Sequence, residues 1–226
     1  MSDATQLASD ASSEDPAVGL AGYAARGTGS RAPCGPSPSG LCGAVDSTHD
    51  AALQVIVVAT SSLLRTVERF TDRDLEQESL LPGWTRGHVL AHVAQGADAM
   101  RNLLVWARTG VPVAAYASQQ ARDTAIEMGA RQGAGALLAE LSASAERFRT
   151  EVTRLNERGW RQPVSVLGGA AFPAAQLLDR RLVEVELHHT DLHVGYGPEQ
   201  WRPAFAEMLL AEPMRSQRED RRGPLP

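Results

Sequence analysis

Glu184 and His188 lie four residues apart in RRLVEVELHHTDL (180–192), and His92 lies far upstream in LPGWTRGHVLAHVAQGADAM (81–100). On a helix, a spacing of four stacks two side chains one turn apart on the same face. An imidazole from a second helix can then close a triangle around one ion. Two imidazoles and a carboxylate with a fourth position open are the ligand set of a catalytic zinc, whereas structural zinc is closed by four protein ligands. The chemistry these residues point to is metal-assisted and takes place at an open coordination position.

Spacing alone leaves rivals. The six histidines are His49, His88, His92, His188, His189 and His193. His88 with His92 and His189 with His193 are also four apart, so either pair is a competing ligand set. His49 has no acidic or histidine partner in register and reads as a surface residue. In the helix around 180–192, Leu177, Leu178, Arg181, Glu184, Val185 and His188 share one broad face, while Glu186 and His189 fall off it. A carboxylate inside an apolar stripe is costly unless paired or bound to a cation, so Glu184 requires a partner. In the plainer account that partner is Arg181 or Arg180, and His188 is a satisfied core residue. The metalloprotease pattern HExxH is not matched, because no Glu follows His88 or His92 directly.

The elements that would position these side chains are helical. STHDAALQVIVVATSSLLRTVERF (47–70) opens on a candidate cap at Ser47 or Thr48 and carries an apolar stripe through Leu63, Leu64, Val67 and Phe70. LPGW is a turn, and Thr85 caps a helix running to about Thr109, where Gly110 and Pro112 stop it. A shorter helix follows over about 118–128, and a long amphipathic one over about 133–155. Pro163, Gly168 and Gly169 break 159–172 into loop or short strand. Pro173 suits the first turn of a last helix that reaches about Val194. Four long helices, little strand signal and no internal repeat predict an all-α four-helix bundle, with metal ligands on facing helices.

Bulk properties narrow the partners. The chain has 226 residues and a net charge of −5, and all 22 of its basic residues are Arg. Its pI near 5.7 and lack of a basic stripe argue against nucleic acid. Residues 1–46, rich in Gly, Ala, Ser and Pro without an apolar period, read as a disordered leader that fits neither a signal nor a transit peptide. No run approaches the ~18 apolar residues of a membrane span. A cytoplasmic protein with no membrane partner is therefore expected. Cys34 and Cys42 fall in the leader and read as incidental free thiols. The bundle is expected over 47–203, then a short helix and tail over 204–226, of which 214–226 frays.

Two motifs, L-x-G-W-T-R-x-H-V-L-A-H-V-A (81–94) and R-x-x-E-V-x-L-H-x-x-D-L (181–192), resemble the mycothiol-dependent maleylpyruvate isomerase family, a branch of the DinB-like metal-binding helical bundles. The intervening 103–130 also follows that family, with a W-A-x-T-G turn, a Tyr and an Ala-Arg helix, and the similarity runs from about Ala51 to Trp201. The resemblance implies a divalent metal, usually zinc, held by His92, Glu184 and His188, with His88 at a position that does not bind. It implies that Trp84 and Arg86 shape the pocket wall and the start of the helix. Asp191 is then an acceptor for a ligand imidazole, or else a surface acid. Arg181 orients Glu184 or meets an acidic substrate. The implied activity is cis–trans isomerisation of maleylpyruvate: mycothiol thiolate adds to the double bond, the single bond rotates, and the thiol leaves. No protein cysteine is needed. Isomerase-type members carry a further C-terminal α/β domain, which is expected to be missing here. Two alternatives keep the metal: a thiol S-transferase acting on electrophiles, and a metal-binding bundle without turnover.

Overall fold

The structure, a computed structural model, describes residues 42–167, 169–212 and 214–223, with side chains from Thr48 onward. Most of the expected leader, with Cys34, lies outside the described residues, as do 224–226. Four long helices form the bundle: α1 (Cys42–Val67), α3 (Arg86–Thr109), α5 (Ala134–Val152) and α7 (Gln176–Asp191). They pack in a ring, α1 on α7, α7 on α3, α3 on α5 and α5 on α1. Shorter elements join them: α2 (Asp72–Leu75), α4 (Gln119–Ala130), α6 (Glu157–Arg161) and the two-residue strands β1 (Pro163–Val164) and β2 (Phe172–Pro173), paired antiparallel. After α7 come a 3-10 turn (Pro198–Gln200), α8 (Pro203–Ala206) and α9 (Met214–Asp220).

Local chemistry accounts for several boundaries. Thr85, extended, precedes α3, and its N–H donates to His88 Nδ1 at 3.2 Å. Gly110 ends α3 at φ +74°, a left-handed conformation that glycine adopts without a Cβ penalty. Ser118 Oγ accepts from the Ala121 N–H at 3.0 Å and starts α4. The seam between α3 and α4 depends on glycine: a Cβ on Gly129 would lie 2.8 Å from that of Ala91. Leu63, Leu90, Met100, Leu103, Leu104, Leu141, Phe148 and Leu177 fill the centre. At the rim, Arg147 grips Asp98 with a fork of 2.8 and 2.7 Å, tying α5 to α3.

Several expectations need correction. α1 begins at Cys42, so Ser47 and Thr48 lie inside it rather than capping it. Over Thr48–Val67 it is long and apolar enough, by length and composition, to cross a membrane, contrary to the sequence reading. Its Leu53, Ile56, Ala59, Leu63 and Val67 are buried against the bundle. Pro173 belongs to β2, because the backbone N–H groups of Ala174 and Ala175 bond to Gln162 and Trp160 carbonyls before the helix starts. α7 stops at Asp191, three residues short of Val194. Residues expected to fray form α9, which buries Met214 and Arg218. His49 is half-buried and stacks on Trp160 at 4.3 Å.

Candidate metal centre

α7 is nearly enclosed: every residue from Arg180 to Asp191 is buried. Its inner face brings Glu184 and His188 against His92 of α3. The His92 and His188 rings meet edge to face, with centroids 4.8 Å apart. Glu184 Oε2 lies 3.0 Å from His92 Nε2 and 3.6 Å from His188 Nε2. One ligand atom from each of the three residues lies within 4.8 Å of the others, and all three residues are buried. No other such group occurs among the described residues.

The contact between His92 and Glu184 is an ion-pair approach without hydrogen-bond geometry. His92 Nε2 and Glu184 Oε2 are buried, yet neither has a hydrogen-bond partner among the described residues. A buried polar atom left unpaired costs about 1–3 kcal/mol, so an arrangement that leaves two of them facing each other is poised for something else. The remaining imidazole nitrogen of His188 is committed: Nδ1 donates to Asp191 Oδ2 at 2.8 Å, which directs Nε2 at Glu184. Asp191 is itself buried, which excludes the surface-acid reading.

Electrostatics favour a cation at this point. Burial disfavours charge on His92 and holds its pKa below the usual imidazole range. Burial acts the same way on His188, but the Asp191 and Glu184 carboxylates outweigh it and raise its pKa to about 9. Glu184 is pushed up by burial and pulled down harder by the two imidazoles, ending well below the usual carboxylate range. Two carboxylates thus hold positive charge on a buried imidazole, and a metal ion can take the place of that proton.

The walls combine Trp84 and Arg181, to which the sequence reading gave roles, with Tyr116 and Arg122, to which it gave none. Trp84 packs edge-on to His92 at 5.6 Å. Arg122 of α4 is buried, with Nη2 3.4 Å from His92 Nδ1 and its guanidinium 6.0 Å from the Tyr116 ring. Tyr116 OH is buried without a hydrogen-bond partner among the described residues, as are Nε and Nη2 of Arg181. Arg181 Nη1 donates to the Val93 carbonyl at 2.9 Å, and burial lowers the Arg181 pKa to about 10. The signal for Tyr116 and Arg122 was present in the segment of the Tyr and the Ala-Arg helix, but nothing in their spacing tied them to His92.

The rival histidines are used elsewhere. His88 caps α3 through Nδ1 and turns Nε2 toward Glu127 at 3.3 Å. His189 bonds Thr66 Oγ1 through Nε2 at 2.8 Å and stacks on Tyr196. His193 sits at φ +52° just past α7, and its carbonyl accepts from Arg86 Nη2 at 3.3 Å. Arg86 also donates to the Leu192 carbonyl at 2.8 Å, so it locks the start of α3 to the end of α7. Arg180 lies over the Phe172 ring at 3.9 Å.

The helical bundle, with its inward His–Glu–His cluster on facing helices, has the DinB-like fold. The model of the mycothiol maleylpyruvate isomerase N-terminal domain matches residues 58–193, and the chain belongs to that family. Crystal structures of the mycothiol-dependent maleylpyruvate isomerase and of a histidine-to-alanine mutant of it are similar, each with a TM-score of 0.66, at 30% and 29% identity. Each match covers 70% of this chain and 65% of the other, so the chain spans about two thirds of the length of those solved relatives. No curated protein matches it.

Proposed function

We propose that this chain holds a divalent cation, zinc in the first instance, between His92, Glu184 and His188. We further propose that it serves the mycothiol-dependent cis–trans isomerisation of a maleylpyruvate-type unsaturated keto acid. The observation that carries this reading is the pair of orphaned atoms, His92 Nε2 and Glu184 Oε2, facing His188 Nε2 in a buried cluster. The donor set fits the group: two imidazoles and one carboxylate leave a position open, the composition of a catalytic rather than a structural zinc site. A cation bound there supplies positive charge that lowers the pKa of a thiol and stabilises negative charge developing on a substrate oxygen.

The rest of the work falls to the chain. Asp191 keeps the His188 proton on Nδ1, leaving Nε2 as the ligating atom. Burial of the whole cluster excludes water and strengthens each charge interaction. Arg181 and Tyr116 offer three unspent N–H and O–H donors from the interior, suited to the oxygens of an acidic substrate. Arg122 adds positive charge beside His92. No cysteine is required, and none occurs after Cys42.

Metal analysis followed by an ultraviolet assay tests this reading. Purified chain should carry about one zinc, and His92→Ala should remove it, as expected for a site with three protein ligands. Zinc retained in that variant overturns the ligand set. Maleylpyruvate should then isomerise only with mycothiol present, leaving the thiol free. A stable thioether product instead identifies an S-transferase, and zinc without turnover leaves a metal-binding bundle.

A further inference from the structure

The residues after His193 lie beyond the family match, and those from 214 onward look in sequence like a fraying charged tail. In the structure they fold back on the bundle. Arg218 donates from Nη1 to the Phe205 and Met208 carbonyls, each at 2.8 Å, and Arg222 donates to the Ala206 carbonyl at 2.8 Å. These bonds, with buried Met214, seat α9 against α8 and α7. Seated there, α9 delivers Arg221 to the end of α7, and its Nε donates to Asp191 Oδ1 at 2.8 Å.

Asp191 therefore has a different partner on each oxygen. Oδ1 accepts from Arg221, and Oδ2 accepts from His188 Nδ1. The Arg221 side chain is 13% exposed and that of Asp191 is 2% exposed, so little water competes for the pair. A carboxylate held by one partner can swing about its last torsion, which is broad and two-fold. A guanidinium on one oxygen fixes that torsion and leaves the other oxygen aimed at the imidazole. The chain of contacts runs from the C-terminal helix, through Asp191, to a side chain of the metal cluster.

We propose that Arg221 is a positioning residue for the metal centre: by fixing Asp191 it holds His188 with Nε2 turned toward the ion. The inference rests on reading His92, Glu184 and His188 as a divalent-cation site. It assigns a role to a segment outside the matched domain.

The test is zinc affinity, measured by competition with a chromogenic chelator on the full chain. Variants are Arg221→Gln, Arg221→Lys, Arg215→Gln and His92→Ala. Arg215 lies on α9, which Arg221 directly follows, but pairs with Glu212 at the surface, so its loss controls for disturbance of α9. Loss of an outer partner typically weakens metal binding 10- to 100-fold, and Arg221→Gln should fall in that range of about 10- to 100-fold. Arg221→Lys should recover part of the affinity, and the Co2+-loaded Arg221→Gln chain should show a shifted ligand-field spectrum. Equal weakening by Arg221→Gln and Arg215→Gln, or no rescue by Lys, overturns the positioning role in favour of a purely structural one. If the parent binds zinc, His92→Ala does not and Arg221→Gln binds as the parent does, the centre stands and this inference alone falls. If the parent binds no zinc, both fall.

Discussion

The two sides of α7 carry similar residues and treat them differently. On one side Glu184 and His188 face His92, leaving an imidazole nitrogen and a carboxylate oxygen buried without hydrogen-bond partners among the described residues. On the other side Glu186 and His189 are buried just as deeply, but their groups are paired. Glu186 accepts from Arg202 Nη1 at 2.8 Å and from the Tyr196 hydroxyl. His189 is bonded to Thr66, and Thr190 Oγ1 accepts from Trp201 Nε1 at 2.9 Å. Burial and residue type are matched, so neither marks the functional side. Satisfaction does: one network is closed within the protein, and the other leaves two buried atoms open to the cation proposed above.

A pair of substitutions separates the two sides most strongly. Zinc at about a thousandfold over its dissociation constant should stabilise the parent by about 4 kcal/mol, read as a rise in thermal midpoint on adding the ion. Glu184→Gln should abolish that rise. Glu186→Ala should instead lower the zinc-free midpoint, because it takes away the buried carboxylate that Arg202 and Tyr196 share; removing one partner of a buried ion pair costs up to about 3–5 kcal/mol. The zinc-dependent rise should persist in that variant. If Glu186→Ala loses the zinc response while Glu184→Gln keeps it, the comparison is reversed.

A smaller effect sharpens the account of the closed side. Thr66→Val keeps the shape of α1 but leaves His189 Nε2 without its hydroxyl, a loss of about 1–3 kcal/mol in chemical denaturation. Zinc stoichiometry should be unchanged. A drop in zinc content would mean that the two sides are coupled through α7, not independent.

The same contrast explains what could be read from the chain alone. The inner face of α7 was legible because its residues recur at helical spacing within one turn of each other, and a carboxylate in an apolar stripe is conspicuous. The cap at Thr85 and the stop at Gly110 were legible because each is a local property of a few residues. The outer face was misjudged: Glu186 and His189 were set aside as off the buried stripe, yet both are buried. Their partners Tyr196 and Arg202 lie within and beyond the break at Gly195 and Gly197, and no periodicity links them to α7. Arg221 is more remote still, thirty residues beyond Asp191 in an arginine-rich stretch, where any of several guanidiniums had an equal claim. Spacing nominated three ligand sets, two of them histidine pairs, and the resemblance and then the packing separated them.

The last and smallest expected effect tests that separation. His88 lies one turn before His92, so on spacing it is as good a ligand. In the structure its Nδ1 accepts from the Thr85 N–H and bonds the Thr85 hydroxyl at 2.8 Å, which gives it to the start of α3. His88→Ala should therefore behave as the loss of a capping contact, about 1 kcal/mol in stability, with a full complement of zinc. His92→Ala, one turn on, should keep the start of α3 intact and lose the ion. Because the two substitutions remove the same side chain from the same helix, helix propensity and lost imidazole surface are similar in both. A difference in zinc content between them then reports only which way each ring faces.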